Sequence, residues 1–210
     1  MIKVTRPERP AILTEKASEW TQALLQATTA KERKRAEKKY GHSEIKNALK
    51  AMFHGKCAYC ESNISHVAYG HIEHFRPKAV GRYPQLAFEW SNLFLACEIC
   101  NGAANKGVRF PEAVEGGPLV NPCDDDPSEH LCFHYDRQAQ LASVLGKTQR
   151  GKMTEETLGL NRHELRIYRS RQVTKVAVLA RLASSDAEAR ALLEEAKQDN
   201  AEYAAFSRCL

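Results

Sequence analysis

The sequence has no long apolar run. Nothing in it approaches the ~20 consecutive apolar residues that span a bilayer, and no hydrophobic signal segment opens it. The chain is therefore expected in the cytoplasm, with no membrane partner. It has no Gly-rich phosphate loop of its own and no internal repeat beyond two short cysteine pairs. Basic residues are missing from 110–136, which hold 7 Asp/Glu and no Lys/Arg. What remains is ordinary globular material: 210 residues, 43% hydrophobic and 27% charged, enough for one domain or a small domain with helical additions. The net charge is +5 but unevenly spread. Residues 1–56 carry 13 Lys/Arg against 6 Asp/Glu, and residues 146–182 carry 9 against 3. Two basic regions around an acidic loop suit a phosphate-backbone partner, although solvated helix faces would read the same way.

Periodicity organises the ends of the chain. Residues 1–10, with Pro7 and Pro10, read as an extended arm. Ile12, Leu13, Ala17, Trp20, Leu24 and Leu25 recur at helical spacing to about Thr28. The run from Lys31 to Lys39 reads as a charged helix or linker. Ser43 is placed to cap a helix running to about Phe53, with Gly55 as its stop. Pro111 to Glu129 is turn-rich, and 131–135 with 140–145 predict a short hairpin. Asn161 with Glu164 reads as a capping box opening a long helix, and Ser185 with Glu188 opens a last one to about Phe206. The resulting expectation is a mainly α protein with a small α+β core. Its regions are 1–55 helical, 56–110 cysteine-bearing, 111–145 acidic loop and hairpin, and 146–210 helical.

Chemistry concentrates in 56–110. Cys57-Ala-Tyr-Cys60 and Cys97-Glu-Ile-Cys100 have equal internal spacing. Two such knuckles supply four soft thiolates, which close a tetrahedral Zn²⁺ site and leave no open position for catalysis. The alternatives are redox pairs or plain core cysteines; a redox motif does not come in two matched copies around an acid–histidine pair. Cys123, Cys132 and Cys209 are read as reduced bystanders. Between the knuckles lies His71-Ile-Glu-His74-Phe-Arg-Pro-Lys78, then Asn92, with Asn101 and Asn105 after the second knuckle.

This order resembles the HNH endonuclease family, on Cys57, Cys60, Glu73, His74, Asn92, Cys97, Cys100, Asn101 and Lys106. The resemblance implies a β-hairpin and helix around one divalent metal (a ββα-metal module). Hydrolysis of a phosphodiester needs a base for water and positive charge on the departing oxygen. His74 suits the base, since an imidazole titrates near neutrality. Glu73 points to the other face of its strand and suits ligation of Mg²⁺ or Mn²⁺. By resemblance, Asn92 orients the imidazole. Asn101 and Asn105, four apart, are expected on one helix face as oxygen donors, and the choice between them is open. His71 is an extra ligand, a substrate contact or a surface residue. Arg76, Lys78 and Lys106 are expected on phosphates, with surface ion pairing as the alternative. Phe75, Tyr83, Phe88 and Trp90 are expected to pack the core.

Further segments extend the likeness: Gly55–Glu61, Trp90–Cys97, Leu119–Pro122, Asp125–Leu131 and Thr157–Leu165. Together they resemble the nuclease subunits of Septu-type and retron-associated anti-phage systems (the PtuB family). That resemblance implies an ABC/SMC-like ATPase partner of the PtuA type, docked on the terminal helices, and is compatible with a homodimer within such a complex. It implies a nucleic-acid substrate, DNA ahead of RNA. The competing readings are a ribonuclease acting for instance on tRNA, and a zinc-stabilised binding module with a degenerate site.

Overall fold

The computed structural model describes residues 1–65, 68 and 70–210, which fall into two compact units: 4–57 with 64–110, and 1–3 with 58–63 and 111–210. In the first, α1 (Ala11–Leu25) buries Leu13, Ala17, Trp20 and Leu24 of the apolar stripe read from spacing, while Ile12 is half-buried and Leu25 is exposed. The charged run is a helix, α2 (Ala30–Glu37), which starts on a capping box between Thr29 and Glu32 and continues as a 3-10 turn over Lys38–Gly41. Helix α3 (Ser43–Met52) buries Ile45, Leu49 and Met52. Ser43 is its first residue rather than its cap, because His42 Nδ1, one position earlier, accepts the orphan N–H of Glu44 at 3.3 Å.

The hairpin follows. Strand β1 (His71–His74) pairs antiparallel with β2 (Leu93–Ala96), setting His71 opposite Ala96, Glu73 opposite Phe94 and His74 opposite Leu93. Behind it, Phe94 packs on Phe53 and Phe75, and Phe75 on Phe110, with centroids 5.4–5.8 Å apart. Phe75, Phe88 and Trp90 are buried here, while Tyr83 is half-buried against Phe110. The N-terminal arm is tied down by Arg6, whose Nη1 donates to the carbonyls of Trp90 (2.7 Å) and Leu93 (3.1 Å).

After β2 comes α4 (Glu98–Asn101), only four residues long, so the expected helix carrying both Asn101 and Asn105 does not form. Gly102 leaves helical geometry at ψ 161°, consistent with its low helix propensity. The chain then turns until the Lys106 N–H returns to the Cys100 carbonyl.

In the second unit, α5 (Pro127–His130) leads into the expected hairpin, β3 (Leu131–Asp136) with β4 (Leu141–Gly146). Then come α6 (Gln149–Thr157), α7 (His163–Leu182), α8 (Ala187–Ala196) and α9 (Ala204–Ser207). Two expected caps are replaced. Asn161 does not cap α7; its amide bonds both the N–H and the carbonyl of Val144 and accepts from the buried Arg169. A strand-edge brace satisfies more of its polar capacity than one cap would. Helix α8 is capped by Asp186, not Ser185, since the carboxylate takes both the Glu188 and Ala189 N–H groups. The acidic loop is folded on itself around Asp125. Burial opposes its ionisation, but Arg150 at 2.6 Å and the Asn121 N–H hold its carboxyl below the usual range. Among the described residues, no helix is long and apolar enough to cross a membrane.

Candidate functional site

The four knuckle cysteines converge: their Sγ atoms all lie within 4.8 Å of one another. A Zn–S bond of ~2.3 Å puts tetrahedral sulfurs ~3.8 Å apart, so a small inward adjustment closes the site. The surroundings suit thiolates. Cys97 Sγ, at the cap of α4, accepts the Cys100 N–H at 3.4 Å, and Cys60 Sγ lies 3.4 Å from Ser62 Oγ. Three of the four cysteines are buried and Cys97 is half-buried. The donor set and geometry fit Zn²⁺, with Cys57, Cys60, Cys97 and Cys100 as its ligands. Cys123, Cys132 and Cys209 lie outside this cluster, and no other convergent group of three or more His, Cys, Asp or Glu side chains occurs among the described residues.

The hairpin presents the acid–histidine pair. The pleat separates the two side chains, and their partners differ accordingly. His74 is buried, and its Nε2 lies 2.9 Å from the Ala87 carbonyl. A carbonyl only accepts, so Nε2 is assigned the proton and Nδ1 keeps the basic lone pair. Burial pushes the ring's pKa down to about 4; the bond to Ala87 opposes that shift, and the charges of Lys78 and Lys106 add to it. The ring is thus neutral, as a base must be, at physiological pH. Tyr40 packs edge-on against it at 4.9 Å and 86°.

Glu73 is buried against Lys106, which is itself 0% exposed and also donates to the His74 carbonyl at 3.0 Å. Lys106 was expected on a phosphate; full burial turns it to the Glu73 carboxylate instead. Asn92 also departs from expectation. Its Oδ1 accepts from the Arg76 N–H (2.7 Å), and its Nδ2 donates to the carbonyls of Arg76 (3.0 Å) and Leu86 (3.1 Å). It therefore braces the two ends of the β1–β2 connection, while the neighbouring Ala87 carbonyl, not Asn92, orients the imidazole. Three backbone bonds use its amide more fully than one to a ring nitrogen.

Asn101 ends α4, which packs against β1, and it is half-buried. Asn105 donates to the Ile99 carbonyl at 2.8 Å. His71 is exposed at the start of β1. Arg76 is exposed with its guanidinium over Tyr83 and Phe110, 5.4 and 5.2 Å from their centroids. Lys78 lies over Tyr40 at 5.3 Å and meets Glu37 at 3.4 Å. Sequence reasoning missed Tyr40, Glu37 and the Ala87 carbonyl. Tyr40 lies at the end of a charged run with no motif around it, and a backbone acceptor leaves no trace in side-chain identity.

The buried Lys106–Glu73 pair yields a direct expectation. Lys106→Met takes the buried ammonium away from the buried Glu73 carboxylate and should cost about 3–5 kcal/mol of stability. Adding Glu73→Gln should restore part of it, since no uncompensated charge then remains. Denaturant unfolding of the two variants checks this, and a Lys106→Met chain as stable as the wild type would contradict it.

Residues 57–107 match the HNH endonuclease family. Among curated proteins, the chain is 33% identical to Septu protein PtuB of Bacillus mycoides (strain KBAB4), over 88% of this chain and 72% of that one. It is 34% identical to Septu protein PtuB of Bacillus thuringiensis, over 80% of this chain and 58% of that one. A weaker likeness, 28%, joins 56% of this chain to 19% of Septu protein PtuA of Bacillus mycoides (strain KBAB4). No solved structure matches.

Proposed function

The chain belongs to the family of Septu PtuB proteins and carries its HNH segment at 57–107, and from that membership we propose that it is a divalent-metal endonuclease cutting nucleic acid, DNA ahead of RNA, in anti-phage defence. The observation that carries the reading is the 2.9 Å contact of His74 Nε2 with the Ala87 carbonyl, which assigns the proton to Nε2 and leaves a neutral ring with a basic Nδ1, next in sequence to the carboxylate of Glu73. In this reading Nδ1 takes a proton from the attacking water. Tyr40 and the Ala87 carbonyl fix the ring's plane, and Asn92 holds the connection that carries Ala87.

The Mg²⁺ or Mn²⁺ ion of an HNH centre supplies positive charge to the phosphate and the departing oxygen. Such ions need only one or two protein oxygens. Glu73 on β1 and Asn101 on the helix packed against it are the donors this chain would contribute, with Asn105 and His71 as outer alternatives. Arg76, exposed, and Lys78, by exchanging Glu37 for a phosphate oxygen, would hold the backbone either side of the cut.

The terminal helices would dock an ATPase subunit of the PtuA type. The test is nicking of supercoiled plasmid by the zinc-loaded protein with Mg²⁺ or Mn²⁺, alone and with its ATPase partner, beside total RNA as a second substrate. Cleavage of plasmid supports the reading, and cleavage of RNA alone selects the ribonuclease. Cleavage of neither selects a binding module, which the neutralisation of Glu73 by Lys106 would favour.

A further inference from the structure

Helix α2 and the 3-10 turn after it hold six cations, Lys31, Arg33, Lys34, Arg35, Lys38 and Lys39, against two acids, Glu32 and Glu37, in nine residues. An ordinary solvated helix of this kind interlaces its charges as i,i+4 pairs of opposite sign. Here both acids are engaged elsewhere. Glu32 Oε2 accepts the N–H groups of Thr28 and Thr29 and the Thr28 hydroxyl, closing the helix start. Glu37 turns to Lys78 beside the site.

Lys31, Lys34, Arg35 and Lys38 are all exposed, and their i, i+3, i+4, i+7 spacing gathers them into one stripe. None of the four has a carboxylate partner among the described residues. Like charges at this spacing oppose helix formation; the capping box at Thr29 offsets that cost locally. Arg33 adds a buried Nη1 with no hydrogen-bond partner among the described residues.

The stripe is joined to the candidate site. Its last lysine is followed within two residues by Tyr40, whose ring meets His74, and Glu37 and Tyr40 both engage Lys78. From this juxtaposition we propose that residues 31–40 form a nucleic-acid-binding element of the nuclease, a track that holds the sugar-phosphate backbone of the strand leaving the His74 site. Lys31 to Lys38 span about 10 Å at helical rise, which matches about three successive phosphates of one strand. The chemistry recognised is repeated phosphodiester charge, without base contacts. The inference rests on the nucleic-acid substrate proposed above and assigns it a path outside the hairpin.

The experiment uses the full chain carrying Lys34→Gln, Arg35→Gln and Lys38→Gln together. These are exposed positions, and glutamine keeps their helix propensity. Binding of a short fluorescent DNA duplex is followed by anisotropy across a salt series, without added divalent metal. Three lost phosphate contacts should reduce the steepness of log affinity against log salt by about 3, with the melting temperature unchanged or raised. An unchanged slope overturns the track. So does intact DNA binding with loss of the ATPase subunit in a pull-down, which would make the stripe a protein-docking surface. Failure of the nuclease reading is separable: a salt-steep wild type that never cleaves keeps the track and loses the enzyme, whereas plasmid cleavage with an unaltered variant slope does the reverse.

Discussion

His74→Ala is expected to lower plasmid cleavage by roughly 10²–10⁴-fold, the range supplied by a positioned general base. The loss should fall on the rate rather than on DNA binding, because the ring's proposed partner is water. A buried side chain is being removed, so instability must be separated from chemistry. His74→Gln serves that purpose: its amide can still donate to the Ala87 carbonyl and fill much of the space, but it cannot take a proton at neutral pH. Both variants should retain zinc and bind DNA as the wild type does, and both should be slow. Cleavage at the wild-type rate by either would mean that the proton goes elsewhere. Because burial sets the ring's pKa at about 4, the neutral form is already complete at pH 7. Raising the pH further should recruit no additional base from this residue.

The same residue shows where sequence reading stopped. The helices α1, α3 and α7 and the β3–β4 hairpin were legible because burial period and turn composition are local properties. The knuckle cysteines and the Glu73–His74 strand were legible because spacing and residue type carry their chemistry. The partners of those residues were not. Lys106 reaches Glu73 from beyond a four-residue helix that spacing suggested would continue, and the early exit at Gly102 sends Asn105 to the Ile99 carbonyl. Asn92 looked like an imidazole clamp and is a backbone brace. Asn161 looked like a cap and ties β4 to Arg169. In each case a polar side chain had two or more ways to satisfy itself, and tertiary contacts decided. Tyr40 was invisible for a related reason: a 3-10 turn after a charged helix has no periodicity to reveal which ring faces inward.

Removal of zinc should have the largest effect on the fold. The cluster takes two ligands from Cys57 and Cys60 before β1 and two from Cys97 and Cys100 directly after β2, so it anchors the segments on either side of the hairpin that carries Glu73 and His74. Structural zinc contributes about 10–16 kcal/mol of apparent binding free energy at pH 7, comparable to the whole stability of a domain. Without the ion the four cysteines take up protons and lose the bonds that join the two knuckles, which leaves the short helix α4 with little to hold it. The purified protein should therefore carry one zinc per chain, released by a thiol-modifying mercurial and quantified with a chromogenic chelator. Cys100→Ser is expected to abolish that zinc, lower the melting temperature sharply and expose residues 93–106 to proteolysis. Cleavage should disappear with it, although no cysteine touches substrate in the proposed chemistry. Cys132→Ser, at an exposed position outside the cluster, should change neither zinc content nor melting, which separates loss of the metal from loss of a thiol. A zinc-free wild-type chain that melts cooperatively at the same temperature would refute the metal's structural role, and with it the account of how so short a hairpin holds its histidine in place.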